Sequence, residues 1–579
     1  MCRCPNQATT EVAGTTASMP TPRVTPHPER PEPWRRALLA ALPALAFLLG
    51  CFPLADFDVW WHLRAGQLIL ETRAVPRLDL FTYTNATRPW IDVYWLYQVG
   101  LALLYRAGGV SALVLLKATA GAAIVALSML GRRPGHRAWP WALAWLPGVL
   151  MVSGRLSERP EAASLLLLTA ELVLLARAPR APRGLWLVPI LQVLWVNCHG
   201  FFVLGPLVLL AYGGEWVVER LRPPDRRADR PPARTFVAVV LLSLIACLVS
   251  PYGAKAFSLP FEQFHTLGNA ALYRAAIGEL KTAGDFIALA GIWNPYLLAY
   301  FASIALGLVS FVLCARRAQL RLFRLLIFTA GVYLAWRATR NSALCGVIAV
   351  LITTWNFDDA LAARPLSAAV PTKKARRRAA AGKLSRDSKG WNNTETSAAR
   401  RWPAPNAVLL ASVGALGLAT VSGGLYAWSG EGRRVGLGER PRWFAHDACA
   451  FLARPDLPER IAAYNISQAA VCIAHGAPRH KQFMDPRLEV NTQETFERYL
   501  AAIRRLWNND LSWEAALGID YGRPDEIPAI LIERGPLGRA AEILSHDSRW
   551  RCVFADQLAT VFVTSRFAEQ HHLPPVPLH

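Results

Sequence analysis

Apolar segments separated by short arginine-rich stretches occupy most of the chain. Each apolar segment is roughly 16–22 residues long, which is close to the length that a helix needs to cross the hydrocarbon core of a bilayer. The pattern therefore predicts a polytopic membrane protein. The segments lie at residues 37–55, 91–107, 110–130, 138–153, 161–176, 185–198, 200–218, 235–250, 296–314, 323–338, 342–356 and 406–428.

The distribution of arginine predicts the orientation of these segments. Arg35 and Arg36 precede the first segment, and cytoplasmic loops are enriched in Lys and Arg, so the N-terminus is predicted to be cytoplasmic. If 91–107 crossed the membrane, two arginine-rich loops would lie outside. We therefore predict that 91–107 is an interfacial or re-entrant helix and that the chain has eleven spans, with twelve spans as the alternative. The cytoplasmic loops are then 131–137, 177–184, 219–234, 315–322 and 357–405.

The predicted fold is an all-α polytopic membrane bundle of about 11 transmembrane helices with a small extracytoplasmic α/β domain at the C-terminus. This arrangement divides the chain into five parts. They are a disordered cytoplasmic leader (1–36), a multi-span domain (37–356) with a long first external loop (56–109) and a second external loop (251–295), a basic disordered cytoplasmic linker (357–405), the last transmembrane helix (406–428) and the extracytoplasmic domain (429–579).

The extracytoplasmic domain is predicted from a change of pattern after residue 429. Apolar residues at helical spacing predict a helix at Thr492–Trp507. Its three cysteines, Cys449, Cys472 and Cys552, allow at most one disulfide. Runs rich in β-forming residues predict strands at Arg460–Val471, Ile527–Ile532, Trp550–Phe554 and Leu558–Val563.

Composition supports the membrane assignment and excludes other classes. The chain is 53% hydrophobic and 18% charged, which is outside the usual range of a soluble protein. Its net charge of +22 comes from arginines scattered over loops and one tail, so we do not predict a nucleic-acid partner. The ten cysteines include no Cys-x-x-Cys pair, so no zinc site is predicted.

An Asp-x-Asp motif, Asp56-Phe57-Asp58, follows the first span and precedes Trp60-Trp61-His62. Carboxylates beside a bilayer are costly and usually functional. Further polar residues fall between other spans, and the predicted topology puts all of them on the external side with the motif. The members of this set are His62, Arg155, Glu158, Arg159, Glu161, Asn197, His199, Arg340 and Asn341. A shared external cavity explains this one-sidedness most simply.

Each of these residues also has a structural interpretation. Asp-x-Asp occurs by chance in many loops, and His62 also suits a hydrogen-bonded structural role. Arg155 and Arg159 also suit ion pairs with neighbouring glutamates at helix ends, and Asn197 and His199 suit a helix cap. Lys117, seven residues into its segment, is interpreted as a snorkelling lysine.

Transfer of a sugar from a lipid-linked phosphate would use this set of groups. One carboxylate, Asp58 first and Asp56 second, would take the proton of an acceptor hydroxyl, because an alcohol is a poor nucleophile at neutral pH. The other would orient the acceptor or, with its neighbour, bind a divalent metal ion. Arg155, Arg159 or Arg340 would hold the departing phosphate. No nucleotide cofactor is predicted, because the sequence has no phosphate-binding glycine loop.

The chain resembles the GT-C superfamily of integral-membrane glycosyltransferases. The likeness rests on the acidic motif at the start of a long first external loop and on the external C-terminal domain. Within GT-C the layout is distantly similar to the protein O-mannosyltransferase and aminoarabinose transferase group. It is more closely similar to a group of uncharacterised bacterial multi-span membrane proteins, in the stretches 58–66, 75–84, 159–161, 195–200, 340–341 and 485–487. The resemblance implies a catalytic acid at Asp56 or Asp58, with Asp79 a second candidate.

The sequence therefore predicts a glycosyltransferase in a bacterial inner (plasma) membrane. It would move a sugar from a polyprenyl-phosphate carrier to an extracytoplasmic glycan, lipid or protein acceptor. His62, Asp79, Asn197, His199 and Asn341 are predicted to help bind the substrates. In the external domain, Asp485 and Arg487 are predicted to form a structural ion pair, with a reach toward the acceptor as the alternative. Three alternatives stay open, namely a ligase or polymerase of lipid-linked glycans, a transporter, and a non-enzymatic assembly protein.

Overall fold

The computed structural model describes residues 33–132, 136–221, 230–269, 272–273, 277–362 and 405–578. Residues 1–32 of the predicted leader and 363–404 of the predicted linker lie outside the described residues.

Most helices of the described residues up to 362 follow the apolar segments of the sequence. The helices are α1 (Pro33–Gly50), α2 (Asp58–Thr72), α3 (Trp95–Met129), α4 (Trp139–Ser153), α5 (Glu161–Arg177), α6 (Leu187–Val196), α7 (Leu204–Arg220), α8 (Ala233–Ala246), α9 (Ala254–Asn269), α10 (Ala283–Ala290), α11 (Pro295–Arg316), α12 (Leu322–Arg337) and α13 (Ser342–Leu361). Helices α2, α9 and α10 instead lie in the predicted external loops.

Four helices in the described residues are long and apolar enough to cross a bilayer, and further apolar helices are shorter. These helices make the chain a membrane protein, whereas the number of eleven spans stays a prediction. The long helices are Trp95–Met129, Gly200–Arg220, Pro295–Arg316 and Thr339–Leu361. The shorter ones before the external domain are Trp139–Ser153, Pro182–Val196, Ala233–Ala246 and Pro405–Val421.

Helix α3 joins the predicted interfacial segment 91–107 to the next apolar segment. Its 35 residues are interrupted at Gly108 and Gly109, whose backbone angles are not helical. Gly109 has φ +59°, a conformation that glycine adopts without a steric penalty. The first half of α3 packs against α2, and its Gln98 is buried there. An unbroken helix of this length would exceed the thickness of a bilayer core of about 30 Å.

Two sets of ion pairs join charged segments of the chain. The first set links side chains in or directly beside the loops predicted to be cytoplasmic, with Glu215 and Arg324 near the ends of predicted spans. The second set joins the loops before α2, between α4 and α5, and around residue 279. The first set comprises Arg321–Glu219 (3.0 Å), Arg324–Asp359 (2.9 Å), Arg230–Glu215 (2.7 Å) and His136–Asp358 (3.3 Å).

Lys117 does not snorkel to the membrane surface, so that interpretation is wrong. Its Nζ lies 2.7 Å from Oε1 of Glu158, and both side chains are buried. The ammonium also lies over the ring of Phe52, 3.4 Å from its centroid. Because the carboxylate of Glu158 compensates its charge, the buried ammonium of Lys117 does not have to extend to water.

After the gap, α14 (Pro405–Val421) and α15 (Gly424–Ser429) lead into a mixed domain. Its strands are β1 (Arg460–Ala463), β2 (Lys481–Gln482), β3 (Ala529–Glu533), β4 (Trp550–Ala555) and β5 (Ala559–Thr564). Its helices are α16 (His446–Leu452), α17 (Ile466–Gly476), α18 (Gln493–Trp507), α19 (Trp513–Leu517), α20 (Arg534–His546) and α21 (Ser565–Gln570).

The strand predicted over Arg460–Val471 is wrong beyond Ala463. The run divides because Asn465 caps α17, its side chain accepting a hydrogen bond from the backbone N–H of Ser467. The other predicted strands and the helix that begins after Thr492 are confirmed. Cys449 and Cys472 form one disulfide, within the limit set by the cysteine count.

The sheet has the strand order β2-β1-β3-β5-β4, with β2, β1 and β3 parallel and the rest antiparallel. Alternate residues face two hydrophobic clusters, as the two-residue period of a strand requires. One cluster contains Leu531 and Val561 together with Val59 and Trp61 of the first external loop. The first loop and the C-terminal domain therefore share one core, although the sequence predicted a domain held only by the last span.

Candidate functional site

The acidic motif lies where α1 has ended and α2 begins. Oδ1 of Asp56 accepts a hydrogen bond from the backbone N–H of Asp58 at 3.0 Å, which fixes the turn into α2. Asp58 is the first residue of α2, and a helix N-terminus favours a negative charge. Both carboxylates are only partly exposed.

One guanidinium connects both carboxylates of the motif to a third acid. Nε of Arg159 lies 2.5 Å from Oδ2 of Asp56, and its Nη2 lies 3.0 Å from Oδ2 of Asp58. Its Nη1 donates to both oxygens of Glu279, at 2.8 and 3.0 Å. Arg155 donates to the same Glu279 at 3.1 Å. We call Asp56, Asp58, Arg155, Arg159 and Glu279 the acidic cluster.

Glu279 was missed in the sequence, which identified the other four members. It lies in a short 3-10 turn (Gly278–Leu280) within the predicted second external loop. That turn is held by the segment before α13, since the N–H of Thr339 donates to the carbonyl of Lys281 at 3.0 Å. Its only sequence signal was an acid in an external loop, which does not distinguish it from other loop acids.

The electrostatics of the acidic cluster separate two of its carboxyl groups. Burial raises the pKa of Asp58 to about 7, with Arg159 acting in the opposite direction and Asp56 and Glu279 adding to the rise. Burial alone would also raise the pKa of Glu279, but Arg159 and Arg155 together lower it to about 2. Asp58 therefore exchanges its proton near neutral pH, while Glu279 stays ionised.

The two predicted histidines are linked to each other through aromatic and hydrogen-bonding neighbours. His62 lies one turn further along α2, and its Nδ1 lies 3.3 Å from Nε2 of Gln98. The ring of Tyr94 bridges His62 and His199, with centroids 5.3 and 5.8 Å away. Nδ1 of His199 is 2.7 Å from Oγ of Ser164.

Both histidines are buried and neutral at neutral pH. Burial, reinforced by Arg159, lowers the pKa of His62 well below its usual value. Burial, reinforced by Arg340, lowers the pKa of His199 to about 3. These rings therefore offer hydrogen bonds to a substrate and no positive charge for a phosphate.

The remaining predicted residues differ in what they contact. Arg340 lies over the ring of Phe201, 5.8 Å from its centroid, and that ring contacts His199. Asn197 has its amide satisfied, because it donates to the carbonyls of Val193 and Val249 and accepts from Trp95. Asn341 donates to the carbonyl of Leu334 at the end of α12. Arg340 is thus joined to the histidines, whereas the two asparagines hold helix ends.

Asp79 lies in a separate buried cluster with the external domain. Its carboxylate accepts hydrogen bonds from the N–H groups of Phe81 and Thr82 and pairs with Arg487 at 2.5 Å. Arg487 also pairs with Asp485 at 2.5 Å, which confirms the predicted ion pair. All three side chains are fully buried, and the guanidinium lies over the ring of Trp90 at 4.4 Å. We call Asp79, Asp485 and Arg487 the buried clamp.

The divalent metal ion predicted at the two aspartates of the motif stays a prediction. The guanidinium of Arg159 contacts both carboxylates, so a positive charge already lies between them. Within the ranges that the structure describes, no three His, Cys, Asp or Glu side chains are grouped to hold a metal ion. We therefore derive no step that passes through a metal.

Two cavities adjoin the acidic cluster. A cavity of about 170 Å³ is lined by Arg155 and by apolar and aromatic side chains that include Met151 and Tyr296. A second cavity of about 600 Å³ is lined by Ala55, the residue before Asp56, and by three arginines. Glu431 lines both cavities and accepts a hydrogen bond from the hydroxyl of Tyr296 at 2.8 Å.

Comparison with known proteins gives a weak structural likeness. No family model matches the sequence, and no curated protein is significantly similar to it. Among solved structures, the chain is similar to the apo form of the Archaeoglobus fulgidus oligosaccharyltransferase, with a TM-score of 0.48 and 10% sequence identity. The match covers 92% of this chain and 74% of that chain. A likeness at this level carries no information about function.

Proposed function

We propose that the chain is a GT-C-type glycosyltransferase that moves a sugar from a polyprenyl-phosphate carrier to an extracytoplasmic acceptor. The observation that carries the proposal is the convergence on Arg159 of three acids from two separate loops. Ring contacts also link His62, His199 and Arg340 to one another, and His62 lies on the same helix as Asp58. Separate structural ion pairs would not need to share one guanidinium.

In the proposed reaction, an acceptor hydroxyl attacks the anomeric carbon of the donor sugar. The bond between that carbon and the phosphate oxygen breaks, and the polyprenyl phosphate leaves with the electron pair. Deprotonated Asp58 takes the hydroxyl proton, a role that suits a pKa near the working pH. Arg159 holds Asp58 in position and keeps part of the carboxylate population ionised, so it is a positioning residue.

The external location of the site is part of the proposal. It is supported by the arginine-rich loops, which the positive-inside tendency assigns to the cytoplasmic side, and by the disulfide Cys449–Cys472, since structural disulfides persist in oxidising compartments. Protease added to spheroplasts should therefore remove the external domain while leaving a cytoplasmic marker intact. Full protection of the domain in intact spheroplasts, with cleavage only after lysis, would reverse the orientation.

The function is tested with the full chain in membranes supplied with a panel of polyprenyl-phosphate sugars. We expect consumption of at least one donor with release of polyprenyl phosphate, and loss of this activity by about 10²–10⁴-fold in Asp58→Asn. Asp520→Asn is the matched control, because Asp520 is an exposed external aspartate paired with Arg523. Consumption of no donor across the panel would contradict the proposal. Full activity of Asp58→Asn with a consumed donor would favour a glycan ligase that needs no carboxylate base.

A further inference from the structure

The larger cavity lies between the end of α1 and the segment that joins α15 to the external domain. Its volume of about 600 Å³ falls within the usual size of a ligand-binding site. Phe52, Pro53 and Ala55 form one wall, and residues 430–434 with Arg440 and Pro441 form the other. Every lining residue belongs to the described part of the chain.

The cavity carries an excess of positive charge. Its lining contains three arginines and one acid, Glu431, which pairs with Arg433 at 3.2 Å. Arg434 and Arg440 pair with no carboxylate among the residues that the structure describes. Two guanidiniums are thus left to bind an anion.

Two of the guanidiniums are held by aromatic rings instead of by acids. Arg433 lies 4.4 Å from the ring centroid of Phe52, and Arg440 lies 4.0 Å from that of Trp443. A stacked guanidinium keeps its donors free at the edge of the plane, in a fork that matches two oxygens of a phosphate. Arg440 is therefore oriented before any anion arrives, with its donors not used by a carboxylate.

The position of the cavity indicates the source of the anion. Helices α1 and α14 pack against each other, and the lining of the cavity follows them in the chain. Trp428, two residues before the lining residue Gly430, has an exposed side chain. Tryptophan is enriched at the level of lipid headgroups. Arginine is disfavoured directly beyond the external end of a span, so Arg433 and Arg434 need a reason other than topology.

We propose that this cavity binds the phosphate group of a lipid at the external membrane surface. Arg434 and Arg440 bind the phosphate oxygens, and Arg433 closes the site while paired with Glu431. The acidic cluster is less suited to this task, because its two arginines already contact four carboxylates, Asp56, Asp58, Glu161 and Glu279. This inference does not depend on sugar transfer.

The test measures binding to the purified full chain in phosphatidylcholine nanodiscs. Calorimetric titrations use dihexanoyl phosphatidic acid, inorganic phosphate and dihexanoyl phosphatidylcholine as three separate probes. We expect the lipid monophosphate to bind more tightly than the other two, with an affinity that falls as salt is raised. The double variant Arg434→Gln/Arg440→Gln should bind it at least about tenfold more weakly.

Matched variants separate lost binding from lost folding. Arg479→Gln removes an exposed external arginine that pairs with Glu459, and it should bind like the wild type. Arg440→Lys keeps the charge without the planar fork, so it should weaken binding by less than the double variant. Equal binding of inorganic phosphate would make this a free-phosphate site and overturn the lipid assignment. Unchanged lipid binding in the folded double variant would overturn the whole inference.

Discussion

Two arginines, Arg159 and Arg487, each hold carboxylates of the first external loop, in different surroundings. Arg487 is fully buried, pairs with Asp79 and Asp485, and lies over an aromatic ring. Arg159 keeps 23% of its side chain exposed and contacts Asp56, Asp58 and Glu279. Both arginines thus pair with carboxylates, but Arg487 does so away from solvent and Arg159 does so where solvent reaches the pair.

This difference in surroundings distinguishes a structural carboxylate from a reactive one. In the buried clamp, every partner is fixed and a substrate has no route to the carboxylates. In the acidic cluster, three acids share one guanidinium, and burial, with Asp56 and Glu279 adding to it, raises the pKa of Asp58 to about 7. A carboxyl group that is accessible and near its pKa can exchange a proton, so we assign reactivity to the acidic cluster and stability to the buried clamp.

The largest expected effect is a loss of folding stability in the variant Arg487→Met. This change leaves Asp79 and Asp485 buried without a cation, so we expect a loss of about 3–5 kcal/mol in the free energy of unfolding. Denaturant unfolding of the purified chain, followed by tryptophan fluorescence, measures the loss. The control Arg479→Met removes an exposed pair with Glu459 and should change the free energy by about 1 kcal/mol at most. If the two variants lost equal free energy of unfolding, the contrast between the buried clamp and an exposed ion pair would be contradicted.

The next effect is on catalysis, in Arg159→Met. Because the partners of Arg159 are partly exposed, the loss of stability should stay near about 1 kcal/mol. Donor turnover should fall by about 100-fold or more, because Asp58 loses the group that positions it. Turnover per folded molecule, measured beside a fluorescence unfolding curve, separates the two effects. If Arg159→Met lost as much stability as Arg487→Met but kept normal turnover, Arg159 would be a structural residue and the assignment of reactivity to the acidic cluster would be contradicted.

A smaller effect is the pH dependence of the wild-type chain. A general base acts when deprotonated, and burial raises the pKa of Asp58 to about 7, so turnover should rise as the pH increases through about 7. Initial rates of donor consumption between pH 5 and pH 9 provide the measurement. Rates that are flat over this range would show that no group with the pKa of Asp58 limits the reaction.

The smallest effect is a shift of that pH profile in Glu279→Gln. The negative charge of Glu279 adds to the rise in the pKa of Asp58, so its removal should move the midpoint to lower pH. The shift should be smaller than the full displacement of Asp58 from 3.8 to about 7. Glu569→Gln, at an exposed external pair with Arg551, should leave the midpoint unchanged. An upward shift would contradict the electrostatic description of the cluster.

The sequence predicted the parts of the molecule that local pattern determines. Apolar length located the helices, and the one-sided distribution of polar residues brought Asp56, Asp58 and Arg159 together in advance. Contacts between distant segments left no local signal, so Glu279 and the core shared by the first loop and the external domain were missed. The strand predicted over Arg460–Val471 failed because one cap, Asn465, ends the extended run.

The central claim is that Asp58 reacts and Asp79 supports the fold. The most direct test compares Asp58→Asn with Asp79→Asn, with donor turnover expressed per folded molecule. We predict that Asp58→Asn folds like the wild type and loses about 100-fold or more in turnover, whereas Asp79→Asn yields less folded protein of nearly normal turnover. Normal turnover of folded Asp58→Asn, or an equal loss in folded Asp79→Asn, would contradict the claim.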